Sequence, residues 1–263
     1  MHPILINFGP FHLATYGTFV AVAYLAGIFW LKTQVKSMPG MTEDKFWILV
    51  YGLFVGAILG GKILFILVSL KSYLSGEMRI IRDFRYGFVF FGGLLGAMLT
   101  GFFMVRWIQV QFLATADYLG VALPMGHSIG RLGCLGTGCC YGRPTTMPWG
   151  IALGGPYSIT PRRLWGIPLH PTQLYEAFGN IAICLFLLYY LLPKAKRKEI
   201  VPGTIFLSYI ILYSIARFIN EFYRGDDRGW SYGSLYVSQW ISIACILGAS
   251  VLMARNGISA REK

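Results

Sequence analysis

LATYGTFVAVAYLAGIFWL, residues Leu13–Leu31, carries no charged side chain. At about 1.5 Å of rise per helical residue this stretch nearly matches a hydrocarbon core about 30 Å thick. Two more uncharged stretches follow, Tyr86–Val105 and Gly229–Ala254. Four others qualify once isolated polar residues are allowed: Phe46–Leu70 around Lys62, Phe112–Arg131, Leu174–Leu192 and Val201–Tyr223 around Arg217. The reading is an all-α integral membrane protein of about seven transmembrane helices, a single polytopic domain over residues 1–263. Composition agrees: 13% of residues are charged and 56% hydrophobic, where a soluble domain has about a quarter charged.

Phe112–Arg131 is interrupted by Asp117, Pro124, Gly126 and His127, so only protein neighbours can satisfy its backbone. The Pro- and Gly-rich segment Gly142–Pro171 predicts a structured extracytoplasmic loop insertion. The first span is too long, and its flank too poor in Lys and Arg, for a cleaved signal peptide, so it should be retained. The net charge of +12 is dispersed between hydrophobic spans. That points to anionic membrane lipid as the counterpart, not nucleic acid.

Basic residues set the expected orientation. Lys194, Lys196, Arg197 and Lys198 follow the fifth span, and Arg255, Arg261 and Lys263 the seventh. The positive-inside rule makes that side cytoplasmic, although Lys71, Arg79, Arg82, Arg85, Arg162 and Arg163 fall on the outer side. Tyr16, Lys62, Phe91-Gly92-Gly93, Arg131, His170 to Glu176 and Arg217 to Arg224 then share the outer face. Inverting the topology would still leave them together. An ionisable residue at membrane depth is costly unless paired or wet, which makes each a functional candidate.

Arg217, Glu221 and Arg224 occupy one face of the sixth helix. One carboxylate cannot neutralise two guanidiniums there, so an anionic ligand would complete the set. Residues 130–145, GRLGCLGTGCCYGRPT, combine glycines that permit close backbone approach with Arg131 and Arg143, whose planar forks suit phosphate. Cys134, Cys139 and Cys140 raise a metal alternative, but their spacing matches neither a zinc pair nor a ferredoxin run. Buried packing or an exported-side disulfide is the preferred reading, and no metal or cofactor is expected. Gln173 and Glu176 lie a turn apart beside His170, and a structural role pairing neighbouring backbone or arginines competes with a catalytic one. Gly92 and Gly93 suit either close helix packing or a lipid headgroup. Lys62 either snorkels or faces that same headgroup.

These motifs, with Tyr16-Gly17, Gly92-Gly93-Leu94-Leu95-Gly96, Gly130-Arg131-Leu132-Gly133 through Gly142, the His170 to Glu176 heptapeptide, and Arg217 to Arg224, resemble the bacterial prolipoprotein diacylglyceryl transferase family over nearly the whole chain. The resemblance implies a seven-span inner-membrane transferase. It would move a diacylglyceryl group from phosphatidylglycerol to the lipobox cysteine thiol in a prolipoprotein signal peptide and release glycerol phosphate. It further implies Arg131 and Arg217 as the essential phosphate-site arginines, with Tyr16, Gly142 and Glu221 in support. Lys62, Gly92, Gly93, Arg143, His170, Gln173, Glu176 and Arg224 are expected to complete the phosphatidylglycerol site.

The chain departs from better-known members: Phe91 stands for a His, Cys134 and Cys139 for Asn and Glu, and Lys62 for a common Arg. Losing that His removes the obvious base, so guanidiniums drawing the substrate thiol toward thiolate would have to suffice, with Glu176 or His170 relaying the proton. Two alternatives remain: a paralogue that binds phosphatidylglycerol without transfer, and a Cys-based redox or metal membrane protein. Polar residues clustered on one side, and not at mid-membrane, argue against a transporter.

Overall fold

Long apolar runs without helix breakers produce most of the architecture. The computed structural model describes residues 2–8, 11–76 and 87–261. Tyr86, Arg79, Arg82, Arg85 and Lys263 lie outside these. Chain order gives α1 (Thr15–Gln34), α2 (Glu43–Val68), the short α3 (Leu70–Leu74), α4 (Phe90–Trp107), α5 (Phe112–Thr137), α6 (Thr172–Phe186), a π-helical turn at Leu187–Leu191, α7 (Leu192–Lys196), α8 (Thr204–Glu221) and α9 (Val237–Arg261). Two compact units divide the chain, Lys32–Thr115 and the remainder, Met1–Leu31 with Ala116–Lys263.

Four segments are long and apolar enough to cross a membrane: Thr15–Ser37, Glu43–Val68, Thr172–Lys196 and Val237–Gly257. The shorter Phe91–Trp107 is also apolar. Only 17% of the most apolar window of Thr15–Ser37 is buried inside the protein, and Leu25 and Phe29 are exposed. Apolar surface on that scale needs lipid as its solvent, which fits a multi-pass membrane protein. α5 and α8 fall short of the same length-and-apolarity measure; they carry Asp117, His127, Arg131, Arg217 and Glu221.

In the Lys32–Thr115 unit, Thr42 caps α2 by accepting from the Lys45 amide at 3.3 Å, and α2 packs on α4 through small residues. A Cβ on Gly60 would lie 2.3 Å from the Gly92 carbonyl oxygen, and one on Gly96 would lie 2.2 Å from that of Gly56. Backbones this close admit only glycine, the packing used where helices associate in lipid.

The other unit opens with an antiparallel hairpin, β1 (Ile4–Phe8) and β2 (Phe11–Ala14), leading into α1. α5 is one continuous helix, a correction to the interrupted span expected from the sequence. Pro124 inside it is fully buried, so protein surrounds the ladder bond that proline removes. The helix also runs on to Thr137, so half of the expected glycine-rich loop is helical. The loop after it carries β3 (Ile151–Ala152) paired with β4 (Pro168–Leu169) over a small core of Tyr141, Leu153 and Leu169. The last span begins later than the sequence suggested, because β5 (Ser231–Tyr232) and β6 (Leu235–Tyr236) form a hairpin before α9.

α8 starts at an unusual place, after Gly203 at φ +94° with no local side-chain cap. Asp117 on α5 does the work instead: it is buried and accepts from the amides of Gly203 at 2.7 Å and Phe206 at 3.0 Å. A carboxylate there also complements the positive end of the helix dipole. Asp117→Ala would strand these amides at a cost of about 1–3 kcal/mol. The expected outcome is a clearly lowered thermal midpoint in detergent, whereas breaking the exposed Arg197–Glu199 pair should leave the midpoint unchanged.

Candidate active site

Glu176 lies one turn into α6 and is buried. Three arginines from two other segments converge on it. Arg131, near the end of α5, pairs through Nε with Oε2. Arg217 on α8 places Nη1 3.3 Å from Oε1, and Arg224, just past α8, places Nη1 3.8 Å from the same oxygen. Asn220 donates to Oε1 at 2.8 Å. Glu176 is therefore the hub of the cluster.

A second carboxylate supports the first. Glu221 Oε2 lies 2.7 Å from Arg217 Nη2 across one helical turn, and Arg228 grips both Glu221 oxygens at 2.7 and 3.2 Å. Arg224 in turn holds Asp226 with Nε and Nη2 at 2.7 and 2.5 Å. Burial opposes the charge on Arg224, but the hydrogen bonds to Asp226, with Cys140 and Glu176 nearby, outweigh it and raise its pKa. On α5, His127 Nε2 accepts from Arg131 Nε at 3.2 Å, which requires that nitrogen to be unprotonated. Four guanidiniums thus face three carboxylates, a formal excess of one positive charge in a partly buried place.

A cavity of about 480 Å³ opens onto the cluster, lined among others by Trp149, His170, Tyr175, Glu176, Arg217 and Tyr223. Its aromatic wall is held by hydrogen bonds: Trp149 Nε1 donates to the Tyr175 hydroxyl at 2.8 Å, and His170 Nδ1 lies 3.1 Å from that hydroxyl. Aromatic walls beside the Arg217–Glu176 pair suit an amphiphile with a polar head.

The expected residues fall into two groups. In the larger unit, Arg131, Arg217, Glu221, Glu176 and Arg224 form the cluster itself, and His170 lines the cavity. Gln173 donates to the Cys139 carbonyl at 2.7 Å and Thr172 to that of Cys140 at 2.6 Å, fixing the loop. Arg143 stays exposed, its Nε donating to the Arg224 carbonyl at 3.0 Å. Tyr16 lies on α1 where that helix meets α5 at Gly133, within electrostatic range of Arg131. In the Lys32–Thr115 unit, Gly92 is filled by the contact with Gly60, and Gly93 abuts Phe88 and the Ala57 carbonyl. Lys62 donates to the Gly87 carbonyl at 3.1 Å. The small-residue packing thus accounts for both glycines. The sequence reading missed Arg228, Asp226, Asn220 and His127; the charged run Asp226-Asp227-Arg228 directly after the motif was the available signal for the first two.

Gly142 locks these elements together. Its amide donates to the His170 carbonyl at 3.1 Å, the Arg143 amide to that of Tyr223 at 2.8 Å, and the Gly225 amide to that of Tyr141 at 3.0 Å. A Cβ on Gly142 would stand 2.4 Å from the His170 oxygen and 2.8 Å from the Tyr223 oxygen, where neither backbone can yield. Gly142→Ala is expected to separate α6 from the end of α8, costing about 1–3 kcal/mol. Loss of activity with a lowered melting midpoint, and no such effect from Gly179→Ala in open space, is the check.

Comparison with known proteins matches this geometry to a family. The family model for prolipoprotein diacylglyceryl transferase matches residues 3–255. Phosphatidylglycerol–prolipoprotein diacylglyceryl transferase 2 of Clostridium perfringens is 36% identical over 95% of this chain and 93% of its own length. The corresponding transferases of Clostridium tetani and Geobacter sulfurreducens are 32% and 31% identical, over 94% and 97% of this chain and 94% and 96% of their own lengths. The chain belongs to the prolipoprotein diacylglyceryl transferase family.

Proposed function

We propose that this transferase moves the diacylglyceryl group of phosphatidylglycerol onto a prolipoprotein, with the lipobox cysteine thiol as acceptor, at the cluster built on Glu176. One observation carries the reading: Arg131 and Arg217, from separate helices, meet on a single buried carboxylate that lines an aromatic cavity. Each guanidinium has five N–H donors, and the protein groups around them engage only some. Others would be offered to the headgroup phosphate. Glu176 and Glu221 act as positioning residues, holding the forks in place before substrate arrives, so that little reorganisation accompanies reaction.

In the transfer step the substrate sulfur attacks the glyceryl carbon, a C–S bond forms, and the bond from that carbon to the phosphate oxygen breaks. Glycerol phosphate leaves with the electron pair. Charge grows on the departing phosphate oxygen, where Arg131 and Arg217, joined by Arg224, are best placed to stabilise it. The thiol proton cannot go to a guanidinium. His170 and Glu176, both in the cavity wall, are the groups able to relay it. Acyl chains would lie among Trp149, Tyr175 and Tyr223.

The seven long helical segments, α1, α2, α4, α5, α6 with α7, α8 and α9, are read as seven crossings of a bacterial cytoplasmic membrane. Lys194 to Lys198 and Arg255 would mark the cytoplasmic face and the cluster the extracytoplasmic one. A reporter active only outside the cytoplasm is expected to be silent when fused after Lys198 and active when placed in the Gly154–Gly166 loop. The reverse pattern would invert the assignment.

Arg131→Ala and Arg217→Lys, assayed separately for transfer from phosphatidylglycerol to a cysteine peptide in detergent, are each expected to lower the rate by about 10²–10³-fold. Lysine keeps the charge but not the fork. Undiminished transfer by both variants would refute the phosphate clamp.

A further inference from the structure

Cys134, Cys139 and Cys140 are not needed by the mechanism above, yet the fold gathers them. Their sulfur atoms all lie within 4.8 Å of one another. Cys134 sits in the last turn of α5. Gly138 at φ +77° and Cys140 at φ +58° then reverse the chain, with the Gly138 and Cys139 amides both donating to the Cys134 carbonyl, at 3.0 and 3.2 Å. A left-handed conformation is uncommon for a residue with a Cβ, and here it brings the third sulfur to the other two. Gln173 and Thr172 hold the carbonyls of Cys139 and Cys140, and Thr137 Oγ1 donates to Cys139 Sγ at 3.3 Å.

We propose that these three thiols form a site for a zinc-class divalent ion, and that its open fourth position takes the incoming substrate thiol. Zinc–thiolate bonds of about 2.3 Å in a tetrahedron put sulfurs about 3.8 Å apart, so the trio needs to close by only about 1 Å. Three protein ligands with a fourth position left to water or substrate is the pattern of catalytic zinc, whereas structural sites use four. Three thiolates and a divalent ion carry one net negative charge, and a fourth thiolate makes two. Arg131 and Arg224, which interact electrostatically with Cys140, offset part of it.

The site would supply what Phe91 does not. A coordinated thiol is deprotonated outright, so the substrate would arrive as thiolate, its proton leaving through the side-chain relay named above. The bound sulfur then attacks the glyceryl carbon held at the arginine clamp, and no electrons are gained or lost. The product thioether carries no charge and dissociates from the ion. The ion-binding part stands on the sulfur geometry alone; the role in transfer rests on the function proposed above.

Purified protein titrated with Co²⁺ is expected to bind one ion per chain with a thiolate-to-cobalt charge-transfer band. That band should be lost in Cys134→Ser and Cys139→Ser and kept in Cys184→Ser and Cys245→Ser. A cysteine peptide, but not its serine counterpart, should shift the cobalt d–d bands. The wild-type titration needs no variant, so misfolding cannot mask the answer. Absence of the band, or a protein mass two hydrogens short that marks a disulfide, overturns the metal site. A band indifferent to the peptide overturns the fourth-ligand role. Full transfer by metal-free protein rejects this inference while leaving the proposed function intact; cobalt and peptide bound with no transfer rejects the function instead.

Discussion

A guanidinium withdrawn from water requires a carboxylate, and Glu176 answers three of them. Its two oxygens pair with Arg131, Arg217 and Arg224, so the end of α5, the start of α6 and the end of α8 must meet at one point. The rest of the larger unit follows from that demand. Gly142 and Gly225 thin the backbone where the loop crosses the end of α8, and Glu221 with Arg228 braces Arg217 from behind. Such a cluster is poor value as a stabiliser, because desolvating charges costs nearly what their attraction returns. An apolar bundle would hold together without it. On the function proposed above, its presence is intelligible as a standing electrostatic field kept ready for an anionic headgroup.

Much of this was legible in the residues. Apolar runs locate the long helices of the described residues, and counting along them brings Arg131, Glu176 and Arg217 to corresponding helix ends. Three things were not legible, for physical reasons. Pro124 and the glycines after Gly126 looked like a broken span, since hydropathy says nothing of the neighbours that make a proline tolerable inside a helix. Gly92 and Gly93 carry the same signature whether they admit a helix or a headgroup, and the packing on α2 becomes visible only in the 2.4 Å approach of the Gly60 carbonyl to a Cβ on Gly92. The nearness of the three cysteine sulfurs, within 4.8 Å of one another, is hidden by their linear spacing, which predicts distance only where the intervening backbone is regular. Two left-handed residues make distance in sequence a poor guide to distance in space.

Glycine therefore serves two ends in this chain. Between α2 and α4 it is a packing device, replacing the hydrophobic drive that lipid does not provide. At Gly142 it is a positioning device, letting three backbone segments exchange hydrogen bonds beside the arginines.

The cap that Asp117 places on α8 reaches across 86 residues of chain. A ribosome adding about 5–20 residues each second delivers Gly203 on the order of ten seconds after Asp117. For that interval α5 has an acidic side chain whose partners have not yet been made. Biogenesis of this protein thus contains a waiting period, during which an early segment must be sheltered by the insertion machinery or by its own bilayer neighbours until a much later one docks.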